Sequence, residues 1–392
     1  MPSTNSGKIP LSSPDITEDE IVAVVEVLRG SRLSLGPMLE QFEQLFADYI
    51  GLPHAVAVNS GTSGLHLCIR ALNIGVGDEV IVPSFTFIAA ANAIRYEGAT
   101  PVFVDIEPRT MNIDPAAIED AITPKTRAIL VVHTFGCPAG MAAILEIVHR
   151  HGLLLIEDSC EALGAEYGRR KIGSLGDAAV FGFYPNKQIT TGEGGMVVTR
   201  DSSLASRMRA LRNQGRYDTD DWFQHSELGY NYRLSEINCA LGIEQLKRID
   251  EILTMRETAA RSYHQHLCRH PDLIVPLIEM PGRRISWFVY VLRLNTSYSA
   301  ADRDALAQHL LSSGIGCGRY FAPIHLQPAY AAWRETSRLP ITESHAARTL
   351  ALPFFNRIRP QEIECVCETL LEFLKRHDRS RANSHAGKRE EE

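Results

Sequence analysis

Polar residues follow three separate runs of β-branched residues, and their types suit a small charged ligand. They are the turn Asn-Ser-Gly-Thr-Ser-Gly at 59–64, Asp158 and Lys187. The turn leads into a helical pattern, so its backbone N–H groups would face an anion. The Gly-Lys-Ser/Thr end of an ATP loop and the Gly-x-Gly-x-x-Gly of a dinucleotide site are both absent from it. Taken alone, the turn is more typical of a simple Gly/Ser connection.

Asp158 and Lys187 each have an ordinary explanation when considered alone. Asp158 follows a predicted strand, where a carboxylate can hold a cation, but with Glu161 it also fits a helix capping box. Lys187 follows the next predicted strand in the sequence Phe-Tyr-Pro-Asn-Lys, and a loop lysine is usually solvated. The carboxyl ends of parallel strands lie on one edge of a sheet. The anion turn, the carboxylate and the amine are therefore expected to meet at that edge.

Pyridoxal phosphate requires this combination of groups. It needs an anion cradle for its phosphate, a carboxylate that keeps the pyridine nitrogen protonated, and a lysine that forms an imine with its aldehyde. An aromatic ring usually covers the cofactor, and the segment after the strand at 79–82 offers Phe85 or Phe87. Packing in the core is an equally open explanation for either ring. The sequence thus predicts a pyridoxal-phosphate site with Lys187 as the residue that bears the cofactor.

The elements that must position these groups follow from the periodicity of apolar residues. Between residues 50 and 200 the pattern predicts an α/β domain whose seven-stranded, mainly parallel sheet is covered by helices on both faces. The predicted strands are 55–58, 79–82, 101–105, 128–132, 153–157, 178–183 and 196–199. This large domain is expected over 1–250, a smaller C-terminal α+β domain over 251–376, and a disordered tail over 377–392.

Further elements are predicted outside this sheet. The segment from Ser235 to about His270 has helical spacing and predicts one long helix that links the domains. In the smaller domain we expect a strand over 288–294 and helices over 302–312 and 362–375. Thr17 and Glu20 form a capping-box pattern that opens a helical region over 17–49, whose domain the sequence leaves open.

Composition excludes several classes of function. The 392 residues are 45% hydrophobic and 22% charged, which is typical of a soluble globular protein with more than one core. A net charge of −7 gives no bulk attraction to nucleic acid or anionic membranes. No signal peptide or membrane span is recognisable, so we expect a cytoplasmic protein. The cysteines are scattered and read as reduced thiols, and His264, His266 and His270 read as solvent-facing helix residues, so no metal site is expected.

Together and in order, the motifs resemble those of the DegT/DnrJ/EryC1/StrS family of pyridoxal-phosphate-dependent sugar aminotransferases. The resemblance covers about residues 9–374 and implies the aspartate-aminotransferase-like fold, fold type I. The matching segments are 59–64, Gly-Asp-Glu-Val-Ile-Val-Pro at 77–83, Glu-Asp at 157–158, Pro-Asn-Lys at 185–187, Thr-Thr-Gly-Glu-Gly-Gly at 190–195, Gly-Tyr-Asn-Tyr-Arg at 229–233 and Pro-Ile-His-Leu-Gln-Pro at 323–328.

The resemblance implies a role for each residue at the cofactor. Lys187 would carry it as an imine, and Asp158 would pair with the pyridine nitrogen. The remaining contacts would come from Gly61, Thr62 and Ser63 at the phosphate, Phe87 over the ring, and Glu161 near the phenolic oxygen. Asn231 would reach the phosphate from the other subunit, which implies a homodimer with shared active sites.

Two positions depart from the family pattern. Gly182 stands where many members have a serine whose hydroxyl supports the phosphate, so one phosphate contact is expected to be missing. Glu161 stands where many members have glutamine. A carboxylate beside the phenolic oxygen is repulsive, so Glu161 either has a raised pKa or points away.

The resemblance also implies an activity. It is the transfer of an amino group, from glutamate, to a nucleotide-linked keto sugar, in the biosynthesis of deoxyamino sugars for a polysaccharide or an antibiotic. Arg233, Tyr320 and His325 are candidate substrate contacts, although His325 also fits a structural histidine and Arg233 a surface ion pair. A sugar dehydratase and a non-catalytic regulatory homologue are the alternatives. Relatives that dehydrate the sugar have histidine in place of the lysine, so Lys187 argues against the first.

Overall fold

A computed structural model describes residues 8–334 and 337–387, with side chains up to residue 376. The helices are α1 (Glu18–Arg29), α2 (Pro37–Ile50), α3 (Gly61–Ala71), α4 (Ala89–Tyr96), α5 (Pro115–Asp120), α6 (Met141–His151), α7 (Ser202–Arg212), α8 (Glu236–Lys247), α9 (Ile249–Leu267), α10 (Ala300–Ser312), α11 (Pro340–Ala346) and α12 (Pro360–Gly387). The strands are β1 (His54–Val58), β2 (Glu79–Pro83), β3 (Thr100–Val104), β4 (Thr126–Val132), β5 (Leu154–Asp158), β6 (Glu166–Tyr167), β7 (Arg170–Lys171), β8 (Ala178–Gly182), β9 (Gly195–Thr199), β10 (Leu273–Ile274), β11 (Arg283–Arg284), β12 (Tyr290–Leu294) and β13 (Thr349–Leu352).

All seven predicted strands form one sheet, in the order β1-β9-β8-β5-β4-β2-β3. Only β9 runs antiparallel to its neighbours, so the predicted α/β fold with a mainly parallel sheet is confirmed. Side chains alternate between the two faces along each strand, and both faces are buried. In β8, Val180 lies in the core under α3, whereas Ala179 and Phe181 lie in the core under α2.

Helix α3 lies unusually close to the sheet. A Cβ at Gly64 would approach Val180 Cγ1 to 2.7 Å and Val197 Cγ2 to 3.2 Å, so only glycine permits this approach. The close packing fixes the N-terminus of α3 beside the carboxyl ends of β5 and β8. The residues singled out for chemistry are thereby brought to one edge of the sheet.

A second core lies in the C-terminal part of the chain. The sheet β10-β12-β13 packs with α9, α10 and α12, and Tyr290 stacks on Tyr263 with ring centroids 4.9 Å apart. The start of the described chain joins this unit, since Ile9 N donates to Gly314 O at 2.9 Å. Helices α1 and α2 instead pack on α8, beside the large sheet. None of the described helices combines the length and the apolar character needed to cross a bilayer.

The structure differs from the sequence prediction at two helices. The single helix expected from Ser235 to His270 is two helices, α8 and α9, separated at Arg248. The guanidinium of Arg248 forms ion pairs with Asp15 and Glu20. The spacing of apolar residues cannot predict these tertiary contacts. Helix α12 extends to Gly387, into the segment predicted to be disordered from residue 377, and residues 388–392 lie outside the described part.

Candidate active site

Asp158 ends β5, and its surroundings exclude the helix-cap interpretation. Its side chain is buried, and Oδ1 accepts from Cys160 N at 3.1 Å. The chain then continues through turns, with no helix beginning at 159. Glu161 does not return to the backbone of residue 158, because its Oε2 accepts from Phe135 N at 2.8 Å. Asp158 is therefore a carboxylate held at the sheet edge.

The buried position of Asp158 is costly without a cationic partner. Burial raises the pKa of Asp158, while hydrogen bonds from Cys160 and the Lys187 charge act in the opposite direction. A buried carboxylate is stabilised by a cation or an N–H donor that comes close to it. The protonated ring nitrogen of pyridoxal phosphate is such a donor, so Asp158 fits this cofactor.

Lys187 lies in the connection after β8, and it is not the solvated surface lysine that a loop position suggests. Its Nζ lies 3.8 Å from the ring centroid of Phe288 and 3.5 Å from Glu161 Oε1. The side chain is 15% exposed. An amine held between an aromatic face and a carboxyl group, with part of its surface still accessible, fits the covalent attachment of an aldehyde.

Glu161 is buried beside this amine. Burial raises the pKa of Glu161, and the Lys187 charge and the Phe135 N–H only partly oppose that increase. This corresponds to the first of the two alternatives stated for Glu161, a raised pKa. The carboxyl group points to Lys187 instead of to solvent.

The raised pKa of Glu161 predicts a pH effect on stability. The folded protein holds this proton more tightly than the unfolded chain, so stability falls as pH rises above the ordinary glutamate pKa of about 4.3. We expect Glu161→Gln to remove this decline while preserving the fold, since glutamine keeps the shape and an acceptor for Phe135 N. Thermal unfolding of cofactor-free wild type and variant at a series of pH values would measure it. Parallel curves would contradict the prediction.

The turn at 59–64 forms the N-terminus of α3. Ser60 caps the helix, with its Oγ accepting from Ser63 N at 3.1 Å. The Ser63 hydroxyl donates to Asn59 Oδ1 at 2.6 Å and is turned into the protein. The N–H groups of Gly61 and Thr62 have no acceptor within the helix, because they belong to its first turn. Thr62 and Ser63 line one pocket together with Ser60, so these two residues of the predicted cradle border open space.

Glycine is required at the start of this helix by a close approach. A Cβ at Gly61 would lie 2.9 Å from Cys160 Sγ and 3.5 Å from Gly182 Cα. Gly182 therefore lies directly against the anion turn. The loss of one phosphate contact at this position stays a prediction.

The structure separates the two candidate stacking rings. Phe85 is fully buried and packs edge-on against Phe135 and Phe321, with centroids 6.1 and 5.9 Å away. It belongs to the core and cannot cover a ligand. Phe87 is 63% exposed, so of the two it alone is available to stack on a cofactor ring.

Asn231 has an exposed side chain next to the anion turn of its own chain. Its carbonyl accepts from Asn59 Nδ2 at 3.4 Å, and Asn59 N donates to Tyr232 O at 2.9 Å. The flanking Tyr230 and Tyr232 stack with centroids 4.9 Å apart. His66 bonds Tyr232 Oη at 3.0 Å, which holds this segment on α3. The side chain of Asn231 thus projects from a fixed main chain.

The three candidate substrate contacts lie in different environments. Arg233 donates to the amide oxygens of Asn213 and Gln214, and no carboxylate of the described chain forms an ion pair with it. Within the described chain the surface ion-pair interpretation has no carboxylate to support it, and the charge of Arg233 is available to an anionic group. Tyr320 is half-buried, and burial together with the Glu161 carboxylate raises its pKa. This places its phenol near Glu161.

His325 is completely buried, so it has the surroundings of a structural histidine. Its Nδ1 lies 2.7 Å from Ser84 Oγ, and its Nε2 lies 3.3 Å from Glu343 Oε1. Both ring nitrogens therefore have partners within the chain. A substrate that bound His325 would have to displace one of them.

Sequence reasoning missed Phe288 and Asn186. Phe288 supplies the ring under the Lys187 amine, yet it is one apolar residue in a run that reads as a strand. Asn186 Oδ1 is buried and has no hydrogen-bond partner in the described part of the chain. A buried acceptor without a partner beside Lys187 is expected where a ligand completes the site. Nothing in the sequence distinguishes Phe288, whereas the position of Asn186 before the lysine was a signal.

The fold and the grouping of these residues agree with a comparison against known families. The profile of the DegT/DnrJ/EryC1/StrS aminotransferase family matches residues 14–371. The chain belongs to this family. As a DegT/DnrJ/EryC1/StrS aminotransferase it is an enzyme, and the family predicted from its motifs is confirmed.

Individual known proteins are similar to this chain over most of their length. GDP-perosamine synthase from Caulobacter vibrioides is 43% identical over 369 residues, which cover 94% of this chain and 98% of that protein. DesV from S. venezuelae, solved with a ketimine intermediate, is 38% identical with a TM-score of 0.87, covering 94% and 99%. The PLP form of the putative sugar aminotransferase Spr1654 from Streptococcus pneumoniae is 27% identical with a TM-score of 0.89, covering 94% and 99%.

Proposed function

We propose that this aminotransferase uses pyridoxal phosphate to transfer an amino group, from glutamate, to a nucleotide-linked keto deoxysugar. The observation that carries the proposal is the position of Lys187. Its amine lies between Phe288 and Glu161 on the sheet edge that also holds Asp158 and the N-terminus of α3. The similarity to a GDP-perosamine synthase over almost the whole chain supports a nucleotide sugar as substrate.

Each residue of the site has a separate role in this reaction. When bound, pyridoxal phosphate withdraws electrons from the carbon that carries the amino group. Asp158 holds the proton on the ring nitrogen, which strengthens this withdrawal. Gly61 and Thr62 bind the phosphate through their N–H groups. Phe87 covers one face of the ring and excludes water from it.

Lys187 serves first as the attachment point and then as the acid and base. Its amine would hold the cofactor covalently, and the bound cofactor would supply an electron sink for the reaction. When it is not attached to the cofactor, the same amine would serve as the acid and base that moves a proton to and from the substrate carbon. Glu161 lies 3.5 Å from this amine, and burial raises the pKa of its carboxyl group, which favours the neutral form of Glu161 beside Lys187.

Substrate contacts are assigned by charge and position. The guanidinium of Arg233, without a carboxylate partner in the described chain, suits the diphosphate of a nucleotide sugar. The phenol of Tyr320 suits a sugar hydroxyl beside the reacting carbon. His325 keeps only a supporting role in this proposal, because its ring bonds Ser84 and Glu343.

The substrate assignment is tested with a panel of keto compounds. Purified enzyme, pyridoxal phosphate and glutamate are incubated with several nucleotide keto sugars and with simple keto acids. We expect 2-oxoglutarate and an aminated nucleotide sugar, identified by mass. Turnover of a keto acid without turnover of any sugar in the panel would show that the substrate assignment is wrong.

We further propose a homodimer in which Asn231 reaches the phosphate site of the partner. Mixing Lys187→Ala protein with Asn231→Ala protein creates mixed dimers in which one site carries both lesions and the other carries neither. After random exchange half the dimers are mixed, so we expect about a quarter of wild-type activity from two weakly active parents. Tagged subunits would demonstrate exchange. Proven exchange without recovery would exclude this role for Asn231.

A further inference from the structure

Arg256 is a buried cation that the proposed reaction does not use. It lies on the inward face of α9, one turn from the fully buried Ile252 and Ala260, and is 2% exposed. Arginine is almost never buried unless it is paired. In the described part of the chain no carboxylate pairs with it, and its Nε has no hydrogen-bond partner. All of its hydrogen-bond partners are main-chain carbonyl groups.

The three carbonyls belong to two segments that meet at the active site. Nη2 donates to Lys187 O at 2.8 Å. Nη1 donates to Phe288 O at 3.0 Å and to Trp287 O at 3.3 Å. These segments carry the amine and the ring under it, which lie 3.8 Å apart. The guanidinium of Arg256 thus hydrogen-bonds the main chain of both Lys187 and Phe288.

The segment of Phe288 needs such a restraint because no sheet holds it there. Strand β12 begins only at Tyr290, so residues 287 and 288 have no strand pairing. Gln188 contributes on the other side, since its Nε2 donates to Ser286 O at 3.2 Å and to Glu161 O at 2.6 Å. Arg256 and Gln188 together connect the lysine loop to this irregular segment.

The cost of this arrangement indicates a role beyond packing. Burial lowers the pKa of Arg256 to about 9, against a small opposing effect of the Asp15 carboxylate. An apolar side chain of similar size would avoid that desolvation. Places where such a rule is broken are often functional sites. The planar guanidinium group hydrogen-bonds three carbonyls in a fixed geometry, which the ammonium group of a lysine cannot do.

We propose that Arg256 is a positioning residue for the reaction, which fixes the Lys187 amine relative to the Phe288 ring by bonding the main chain of both. It touches neither substrate nor cofactor. This role rests on the proposed function. Displacing a reacting amine by about 1 Å can slow its reaction on the order of 100-fold, even when ligand binding is unchanged.

The test separates the placement of the amine from the binding of the cofactor. Pyridoxamine phosphate has no aldehyde and cannot bond to lysine, so its affinity reports the rest of the site. Pyridoxal phosphate reports the amine, through the rate at which visible absorbance develops and the mass added to Lys187 after borohydride reduction. For Arg256→Lys and Arg256→Gln we expect attachment and kcat to fall about 10- to 100-fold. Affinity for pyridoxamine phosphate should stay within about threefold of wild type.

Arg348 provides a matched control. It is 7% exposed and donates to Ser344 O at 3.0 Å and Leu294 O at 3.2 Å, away from Lys187. Arg348→Lys and Arg348→Gln should lose thermal stability and retain wild-type attachment rates. Equal attachment rates in the two pairs of variants would overturn the role of Arg256. So would a parallel loss of pyridoxamine phosphate affinity, or the failure of both Arg256 variants to fold when the Arg348 variants do.

The same experiment distinguishes this role from the proposed function. A wild-type protein that never attaches pyridoxal phosphate would overturn the proposed function, and with it the role of Arg256. A wild type that attaches it normally, with Arg256 variants that do the same, would overturn only the role of Arg256.

Discussion

Lys187→Ala is expected to abolish attachment of the cofactor and to reduce transamination on the order of 10⁴-fold or more. The loss is large because one amine has two roles, as the group that bonds the aldehyde and as the group that moves the proton. The variant should still bind pyridoxamine phosphate, since the α3 turn and Asp158 are untouched. Its pyridoxal-phosphate mixture should yield no labelled peptide after borohydride reduction. Product formation is measured by mass.

Two controls identify the cause of that loss. Lys187→Arg keeps the positive charge beside Glu161 but cannot form the covalent bond, so it should be as inactive as the alanine variant. Lys171→Ala removes another partly buried lysine, which donates to Tyr49 O and lies 3.5 Å from the Tyr49 ring centroid. That variant should retain activity. A Lys187→Ala protein that keeps its visible absorbance, and that still yields the labelled peptide around position 187 after reduction, would refute the assignment of Lys187.

Asp158→Asn is expected to have the second largest effect, a decrease in kcat on the order of 10²- to 10³-fold. An amide keeps the shape and can still accept from Cys160 N, but it does not hold a proton on the ring nitrogen. Attachment of the cofactor to Lys187 should persist, because the amine is unchanged. Asp158→Asn should therefore show the visible absorbance of the attached cofactor, whereas Lys187→Ala should not, although both variants lose activity.

Stability separates this role of Asp158 from a structural one. Burial raises the pKa of Asp158, so the buried charge costs the cofactor-free protein stability at neutral pH. We expect cofactor-free Asp158→Asn to unfold at or above the wild-type temperature. Asp201→Ala is the control, since Asp201 caps α7 by accepting from Ser203 N at 2.8 Å and Leu204 N at 3.1 Å. Alanine cannot cap the helix, so this variant should lose stability and keep its activity. A loss of stability in Asp158→Asn would indicate a structural carboxylate.

Much of the site could be predicted from the sequence, because the relevant signals are local. Continuous apolar runs predicted all seven strands of the large sheet to within a few residues. The position of Asp158 and Lys187 after such runs predicted that they share an edge, since parallel strands end on the same side. The 59–64 turn was expected to lead into a helix that begins near Leu65, and α3 begins earlier, at Gly61. Each inference required only the chemistry of neighbouring residues.

Only the tertiary structure decided between interpretations that the same local pattern allows. Asp158 with Glu161 reads as a helix cap until Phe135 N is seen to bond Glu161. Phe85 and Phe87 are indistinguishable until one is buried among other rings and the other exposed. The apolar spacing around Arg248 predicts a continuous helix, because the sequence pattern gives no sign of the ion pair between Asp15 and the Arg248 guanidinium.

The sequence by itself therefore determined the sheet, its family and the three groups that meet on its edge, because these depend on periodicity and on turns of a few residues. The tertiary structure decided which side chains surround Lys187. Phe288 and Arg256 reach it from about 70 to 100 positions away along the chain. Contacts over such separations are set by how the two cores pack, and hydrophobic burial is non-directional, so no local pattern specifies them.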